Sequence, residues 1–290
     1  AWEHGGRFNA SPYRPPDAPA SPTLPSQWQE MQRFFDAYLK DVDNGVRTQK
    51  TLFYYTMGEE AWKKTPVWPP EGTEMQRWYL AEDYTLSPVA PEAGTGADRY
   101  TVDFSASTGE ANRWWEMGVL EDKTVIYGDR AEADKLLLTY TSPPLEEDTE
   151  IVGHPVVTLH MESTEEDGAF YVYLEDVDEH GRVTYVTEGQ LRASHRKISE
   201  ETPPYAQQVP YHSFKRSDMM PLVPGEQAEL TFGLLPTSAL IRKGHRLRLA
   251  VAGHDEGTLA RSPAQGTPTI KVSRNQNGPS CIDLPVAARG

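Results

Sequence analysis

A chain of 290 residues is long enough to bury a large hydrophobic core without help from disulfides or metals. Its 43 Asp and Glu residues outnumber its 28 Lys and Arg residues, which gives a formal net charge of −15. Nucleic acid and anionic membranes both favour clustered positive charge, so neither is expected as a partner. No apolar run approaches the length needed to span a membrane.

The N-terminal region contains the one convincing helix of the sequence. Residues 1–25 are rich in Pro, Ser and Ala without periodicity, which predicts an irregular arm on a surface or against a partner domain. The pattern then becomes helical, with Ser26 as N-cap and an end near Lys40, before Asp43-Asn44-Gly45. The apolar positions at helical spacing are Trp28, Met31, Phe34, Phe35, Tyr38 and Leu39.

After the helix, the sequence predicts many short strands joined by irregular connections. Segment 81–116 is expected to be irregular because it is rich in Gly, Pro and Asp. Loops 163–168 and 178–181 carry hairpin signals. In Arg246-Leu247-Arg248-Leu249, the leucines are expected to face inward and the arginines to face solvent. The predicted strands are 51–57, 77–80, 136–141, 155–161, 170–177, 183–186, 190–195, 226–234, 246–251 and 282–286.

Composition and strand lengths together indicate an all-β fold. The 24 prolines are spread along the chain and would break long helices. Short strands with long connections favour a β-sandwich of the jelly-roll type. The one cysteine, Cys281, cannot form an intrachain disulfide, which leaves the compartment open and favours the cytoplasm. Because its surroundings alternate like a strand, Cys281 is predicted to be a small buried apolar residue rather than a nucleophile.

The histidines and acidic clusters do not predict a metal site. His154 and His160 could share a face of a strand, but no carboxylate or cysteine accompanies them at ligand spacing. His245 is expected to pack or to form a hydrogen bond. The acidic run 146–150 could hold calcium through oxygen ligands, although a solvated loop is the plainer interpretation. Neither a metal nor a cofactor is therefore expected.

A series of motifs resembles one hydrolase family. The helix Phe34-Phe35-Asp36-Ala37-Tyr38-Leu39-Lys40 is similar to the helix that closes the α/β-hydrolase domain of the cocaine esterase-like and X-Pro dipeptidyl-peptidase serine hydrolases, the CocE/NonD hydrolases. The resemblance continues over nearly the whole chain in that family's order and spacing. Further matching segments are Tyr55-Thr56-Met57-Gly58, Trp68-Pro69-Pro70, Thr139-Tyr140-Thr141-Ser142-Pro143-Pro144-Leu145, Tyr173-Leu174-Glu175-Asp176-Val177 and Lys243-Gly244-His245-Arg246.

The resemblance also implies a division into domains. The family's C-terminal domain is a jelly roll of the galactose-binding-like type, which predicts such a domain at residues 47–290. Residues 1–46, the arm and the helix, would then be the C-terminal tail of an α/β-hydrolase domain. The implied partner is the rest of that upstream hydrolase domain in the same polypeptide.

His4 is the one candidate catalytic residue. Trp2-Glu3-His4 matches the family's G-P-W-x-H segment, so the resemblance implies that His4 is the histidine of a Ser-Asp-His triad, carried on an exposed arm. No G-x-S-x-G nucleophile elbow occurs in the sequence, and the nearest segment, Gly278-Pro279-Ser280, lacks the second glycine. Since the triad of this fold runs Ser, Asp, His, the serine and the acid are expected upstream of Ala1. The chain alone is expected to be inactive.

Two functions remain open. The first is a part of a serine hydrolase that cleaves ester, amide or X-Pro peptide bonds of a small molecule or peptide through an acyl-serine intermediate. The second is a non-catalytic galactose-binding-like module that recognises a carbohydrate or a protein surface. For the second, Trp114 and Trp115 on an extended segment would offer one outward-facing ring. If the upstream domain is missing, Phe34, Phe35 and Leu39 are expected to be exposed, or covered by a second copy in a homo-oligomer.

Overall fold

In the computed structural model, which describes residues 1–119 and 124–288, the chain folds as an all-β sandwich that carries two α-helices. The helices are α1 (Leu24–Leu39) and α2 (Arg113–Val119). The strands are β1 (Leu52–Thr56), β2 (Ala61–Thr65), β3 (Glu74–Ala81), β4 (Thr85–Ser87), β5 (Ala97–Thr101), β6 (Leu138–Thr141), β7 (Thr149–Gly153), β8 (Val156–Ser163), β9 (Ala169–Val177), β10 (Val183–Arg192), β11 (Ala228–Gly233), β12 (Thr237–Ile241), β13 (Arg246–Ala252), β14 (Thr269–Asn275), β15 (Gly278–Pro279) and β16 (Cys281–Val286).

Two layers of antiparallel strands face each other, as predicted for a jelly roll. One layer has the order β10-β9-β13-β6. In the other layer, β8 pairs with β11 along one edge and with β14 and β16 along its other edge. β5 extends β14, β3 and β7 border β16, and β12 borders β7. β4 pairs with β3 and reaches β6 through a parallel bridge between Thr85 and Thr141, which connects the layers.

The hydrophobic core lies between the layers. Leu247 and Leu249 of β13 are fully buried, as predicted. The prediction that the neighbouring arginines face solvent was wrong for Arg248, which donates hydrogen bonds to Asp134 Oδ2 at 3.0 Å and to Thr141 Oγ1 at 2.9 Å. The segment that carries Asp134 covers the outer face of β13 at Arg248, so this part of the strand is covered on both sides. Other core residues are Leu138, Val157, Leu159, Met161, Phe170, Val172, Leu174, Leu230, Phe232, Ile270, Val272, Ile282 and Leu284.

One of the two predicted hairpins is present. The turn at 178–181 joins β9 and β10, which pair along their whole length. The hairpin at 163–168 was wrong, because β8 pairs with β11, β14 and β16 whereas β9 pairs with β10 and β13. This acidic, glycine-terminated loop crosses from one layer to the other, and its Gly168 carbonyl accepts the Ala193 amide at 2.8 Å.

The stretch 81–116 is more ordered than its composition suggests. It contains β4, β5 and the start of α2, so the expectation of an irregular segment was wrong for these parts. Two predicted strands, 183–186 and 190–195, form the single strand β10, with a shift of pairing register between Tyr185 and Thr187. The end of the second one, residues 193–195, is a 3₁₀ turn. A local bulge therefore accounts for the apparent break in the sequence pattern.

Helix α1 begins three residues before the start that the predicted N-cap implied. Thr23, in an extended conformation, precedes the helix, and Pro25 occupies its first turn, where a missing amide is tolerated. Ser26 is thus inside the helix rather than its N-cap. Ala37 is the buried residue of α1. Its large apolar side chains are about half exposed or more, as predicted for the helix face: Trp28, Met31, Phe34, Phe35, Tyr38 and Leu39.

Cys281 is buried at the start of β16, as predicted. Burial raises the pKa of its thiol to about 11, so the thiol is uncharged at neutral pH. Within the described residues, the search for a helix long and apolar enough to cross a membrane found none.

Candidate functional site

His4 lies in a tight turn of the N-terminal arm, which we define as residues 1–22. The turn spans residues 3–6 and is closed by the Gly6 amide, which donates to Glu3 O at 3.0 Å. Gly6 has a φ of +65°, a left-handed conformation that favours glycine. The side chain of Gln27 in α1 donates from Nε2 to Gly6 O at 2.9 Å. The turn is therefore held against the first turns of α1.

Hydrogen bonds anchor the rest of the arm to the sandwich. Tyr55 of β1 accepts a hydrogen bond from Asn9 Nδ2 at 3.1 Å and donates one to Glu60 Oε2 at 2.8 Å. Further along the arm, the Tyr13 hydroxyl donates to Asp176 Oδ2 of β9 at 3.0 Å. Burial raises the pKa of Tyr13 well above its ordinary value, so it stays a donor to this carboxylate. The arm, which the structure describes throughout, contains no helix or strand, and these hydrogen bonds fix its position against the sandwich.

The imidazole of His4 is exposed, as predicted, whereas its backbone is fixed. The His4 amide donates to Glu116 Oε1 of α2 at 2.6 Å, and Glu116 is only 7% exposed. Beside it, the rings of Trp2 and Trp62 lie 5.5 Å apart, and both indole N–H groups donate to Ser21 O. Within residues 1–119 and 124–288, no hydrogen bond or ion pair engages the His4 ring. The ring is thus available to an outside partner.

His4 borders a cleft of about 530 Å³. The arm forms one wall with Trp2 and His4, and α2 forms the opposite wall with Trp114. Tyr185 of β10 and Pro236, which follows β11, contribute to the base. A cleft of this size can enclose a large part of a small-molecule ligand.

Two stacked tyrosines line this cleft, and a buried carboxyl group lies next to one of them. The rings of Tyr127 and Tyr185 stack at 4.5 Å with an interplanar angle of 3°. Glu188 of β10 accepts a hydrogen bond from Trp114 Nε1 at 2.8 Å. Burial raises the pKa of the Glu188 carboxyl, while the Arg113 guanidinium and the Trp114 bond oppose the rise. Helix α2 is therefore connected to β10 through a shielded carboxyl group.

The placement of Trp114 and Trp115 corrects the sequence-based prediction. They lie on α2 rather than on an extended segment, and both are half-buried. Asn112 caps this helix, because its Oδ1 accepts the Trp114 amide at 2.9 Å and the Trp115 amide at 3.1 Å. Asn112 followed four residues later by Glu116 was the available sequence signal for a helix start. Missing it also meant missing Glu116 and Arg113 as parts of the site.

The acidic run 146–150 makes ion pairs. Asp148 accepts from Arg242 at 3.0 Å, and Glu150 accepts from Lys63 at 2.8 Å. Across the described part of the chain, no group of three or more His, Cys, Asp or Glu side chains could hold a metal ion. Two carboxylates of the run are thus engaged by basic side chains, one from β2 and one from the residue after β12.

The other histidines considered from the sequence do not form a common site. His154 and His160 line two different clefts, so they do not form a pair. His245 Nδ1 lies 2.8 Å from Asp176 Oδ1, which confirms its hydrogen-bonding role. The sequence pattern places these histidines along the chain. Their partners depend instead on which strands lie next to them in the folded sandwich.

Comparison with known proteins gives one matching family model, the X-Pro dipeptidyl-peptidase C-terminal non-catalytic domain, over residues 44–281. A protein named as a serine esterase from Mycobacterium bovis is 47% identical over 286 residues, which cover 98% of this chain and 44% of that protein. A protein named as an Xaa-Pro dipeptidyl-peptidase from Streptomyces avermitilis is 25% identical over 266 residues, 83% of this chain and 37% of that protein. The chain thus spans less than half the length of these relatives.

Solved structures share the fold. An aminopeptidase from a marine sediment Thaumarchaeota archaeon superposes with a TM-score of 0.72 at 21% identity, over 99% of this chain and 48% of that one. A CocE/NonD family hydrolase from Staphylococcus aureus has a TM-score of 0.68 at 17% identity, over 91% and 46%. An α-amino acid ester hydrolase has a TM-score of 0.66 at 22% identity, over 88% and 44%. At these identities the likeness shows the fold alone.

Proposed function

Because the chain belongs to the X-Pro dipeptidyl-peptidase C-terminal domain family, we propose that it is the histidine-bearing and cleft-forming part of a serine hydrolase. The bonds cleaved would be esters or amides, including X-Pro peptide bonds, as the names of the relatives suggest. The serine nucleophile and the acid of the triad would come from another part of a longer protein.

The observation that carries this proposal is the state of His4. Its backbone is held by the turn at Gly6 and by Glu116, whereas its exposed ring faces the edge of the cleft without a described partner. A catalytic histidine needs both properties, because it must keep one position while it binds a serine on one side and a carboxylate on the other. An incidental loop histidine would need neither.

The chemistry assigned to His4 is proton transfer. One ring nitrogen would accept the hydroxyl proton as the serine attacks the substrate carbonyl, and the same nitrogen would return it to the leaving alcohol or amine. The second ring nitrogen would donate to the acid, which keeps the ring in the correct tautomer. Water would then release the acyl group by the same steps.

The proposed domain division assigns residues 1–46 to the catalytic domain and residues 47–290 to the jelly roll. The family match that begins at residue 44 supports this division. Helix α1 supports it too, since six large apolar side chains remain 50–76% exposed on a helix with one buried residue. An exposed apolar face of this extent is typical of a docking surface. We propose the catalytic domain as its occupant.

The test is hydrolysis of a p-nitrophenyl ester and an X-Pro p-nitroanilide by the full-length protein. His4→Ala is expected to lower kcat/KM about 10⁴-fold, since the loss of one triad member has effects of that order. His180→Ala is the matched control, because its side chain is 83% exposed in a turn far from the cleft. The control should retain full activity.

Two results would overturn the proposal. Hydrolysis by the 290-residue chain on its own, at the rate of the full-length protein, would require a nucleophile within it. A His4→Ala variant of the full-length protein with unchanged kcat/KM and an unchanged unfolding midpoint would show that the triad histidine lies elsewhere.

A further inference from the structure

A second cleft adjoins the one that His4 borders. It has a volume of about 440 Å³ and shares Trp114, Leu235 and Pro236 with the first cleft. Its far wall is the segment 205–209 of the long connection between β10 and β11. We call it the uncharged cleft, for the composition of its lining.

The lining of the uncharged cleft is unusual for this chain. None of the fourteen described residues that line it is Asp, Glu, Lys or Arg, although the whole chain carries a net charge of −15. Its titratable imidazole belongs to His154, whose pKa is lowered by burial. At neutral pH the walls formed by the described residues therefore offer no counter-charge to a carboxylate, an ammonium group or a phosphate.

Aromatic rings and side-chain amides dominate the lining. Tyr205 is 66% exposed, and Trp68 is half-buried with its ring edge against Tyr54, the ring centroids 5.4 Å apart. The amides are those of Gln190, Gln207 and Gln208. Gln207 donates from Nε2 to Pro210 O at 3.1 Å, whereas its Oε1 is buried without a partner in the described chain.

The wall formed by segment 205–209 packs closely against the strands of the sandwich. Gly233 ends β11, and a Cβ added there would lie 2.5 Å from Val209 Cγ1. A Cβ added at Gly189 of β10 would lie 2.6 Å from Gly233 O. Gln208 Nε2 donates to Trp68 O at 2.5 Å, which connects the wall to the segment that follows β2. Two glycines thus allow β10, β11 and segment 205–209 to approach closely.

From this lining we infer that the uncharged cleft binds a neutral sugar ring. Aromatic rings pack against the C–H faces of a pyranose, and side-chain amides both donate to and accept from its hydroxyls. An alkyl chain would leave Gln207 Oε1 buried without a partner, which is unfavourable for a polar group. A charged peptide terminus would be desolvated without a counter-charge. This inference concerns binding alone and does not depend on hydrolysis at His4.

The test uses the 290-residue chain and saturation-transfer NMR with the methyl glycosides of glucose, galactose and mannose. At least one of these neutral sugars is expected to bind, and glucuronate is expected to bind more weakly. Tyr205→Ala and Gln190→Ala should each weaken binding, the tyrosine change by about tenfold because a stacking ring is lost. Both side chains are exposed, so folding should be unaffected.

Tyr84→Ala is the matched control, since Tyr84 is 54% exposed and does not line the cleft. It should bind sugar like the unchanged chain. The inference is overturned if no neutral glycoside gives saturation transfer, or if binding survives both cleft variants unchanged. It is equally overturned if hexanol binds at the cleft and the glycosides do not, because the occupant would then be an alkyl chain.

Discussion

Replacing Arg130 by Met would leave a buried carboxylate without its guanidinium partner. Arg130 Nε donates to Glu175 Oε1 at 2.5 Å, and its guanidinium lies 4.5 Å from the centre of the Tyr173 ring. Asp134 lies 3.5 Å from Arg130 and 3.0 Å from Arg248. Two cations and two carboxylates thus form a cluster on the outer face of β9 and β13.

The burial of this cluster sets the size of the effect. The side chain of Glu175 is fully buried, and that of Arg130 is 10% exposed. Removing one partner of a buried ion pair costs about 3–5 kcal/mol of unfolding free energy. Met keeps much of the volume of the arginine stem, so the loss comes from the uncompensated charge. Arg130→Met with Glu175→Gln should recover most of it, because the unpaired charge is then gone.

The pH dependence of the same variant has a definite sign. Burial raises the pKa of the Glu175 carboxyl above its ordinary value, while the Arg130 guanidinium opposes the rise and Asp134 reinforces it. Because the folded chain then binds this proton more tightly than the unfolded chain, the contribution of Glu175 to stability falls as pH rises above about 4.5, the ordinary pKa of this side chain. Without Arg130 the opposing effect is lost. The destabilisation should therefore be larger at pH 8 than at pH 5.

Urea unfolding at pH 5 and pH 8 measures these differences. Arg182→Met, at an exposed arginine in the β9–β10 turn, is the control and should change stability by less than about 0.5 kcal/mol. A loss below about 1 kcal/mol for Arg130→Met at pH 8 would refute the reasoning. So would a double variant that is less stable than Arg130→Met.

Three further changes have expected outcomes. Asn112→Ala should cost about 1 kcal/mol in urea unfolding because α2 loses its N-cap; an unchanged midpoint would contradict this. Gly233→Ala should cost about 1–3 kcal/mol, since its Cβ would meet Val209, whereas Gly128→Ala, with open space around it, should not destabilise. Phe35→Ser should change the stability of the 290-residue chain by less than about 0.5 kcal/mol but increase proteolysis around α1 in the full-length protein; equal cleavage would argue against a docked catalytic domain.

The sequence predicted the sandwich because strand periodicity is a local property. In β8 and β13 the alternation of apolar residues matches the observed burial, and the proline distribution correctly argued against a helical fold. The exposure of α1 was also predictable, because its apolar face is expected to pack on an upstream domain that this chain does not contain. His4 is a candidate through resemblance alone, because one exposed histidine has no local signature.

Strand pairing and the covered faces were not predictable from local patterns. A glycine-terminated acidic loop looks the same whether it joins paired strands or crosses between layers, so the hairpin at 163–168 was wrong. Arg248 looked solvent-facing because period-two alternation says nothing about a distant segment that covers the sheet. Helix α2 is seven residues long, too short for periodicity to reveal. Its N-cap, Asn112, was the informative residue.

Helix α2 is the element that would couple the two proposed activities. Glu116 holds the His4 amide, and Trp114 separates the two clefts while its indole N–H binds Glu188. A change at Asn112 should therefore alter both hydrolysis and sugar binding, because it disturbs the helix that both clefts share. A change at Tyr205 lies on the far wall and should alter sugar binding alone. The coupling is contradicted if the Asn112 change weakens sugar binding as much as the Tyr205 change does but leaves hydrolysis unaltered. The two clefts would then act separately.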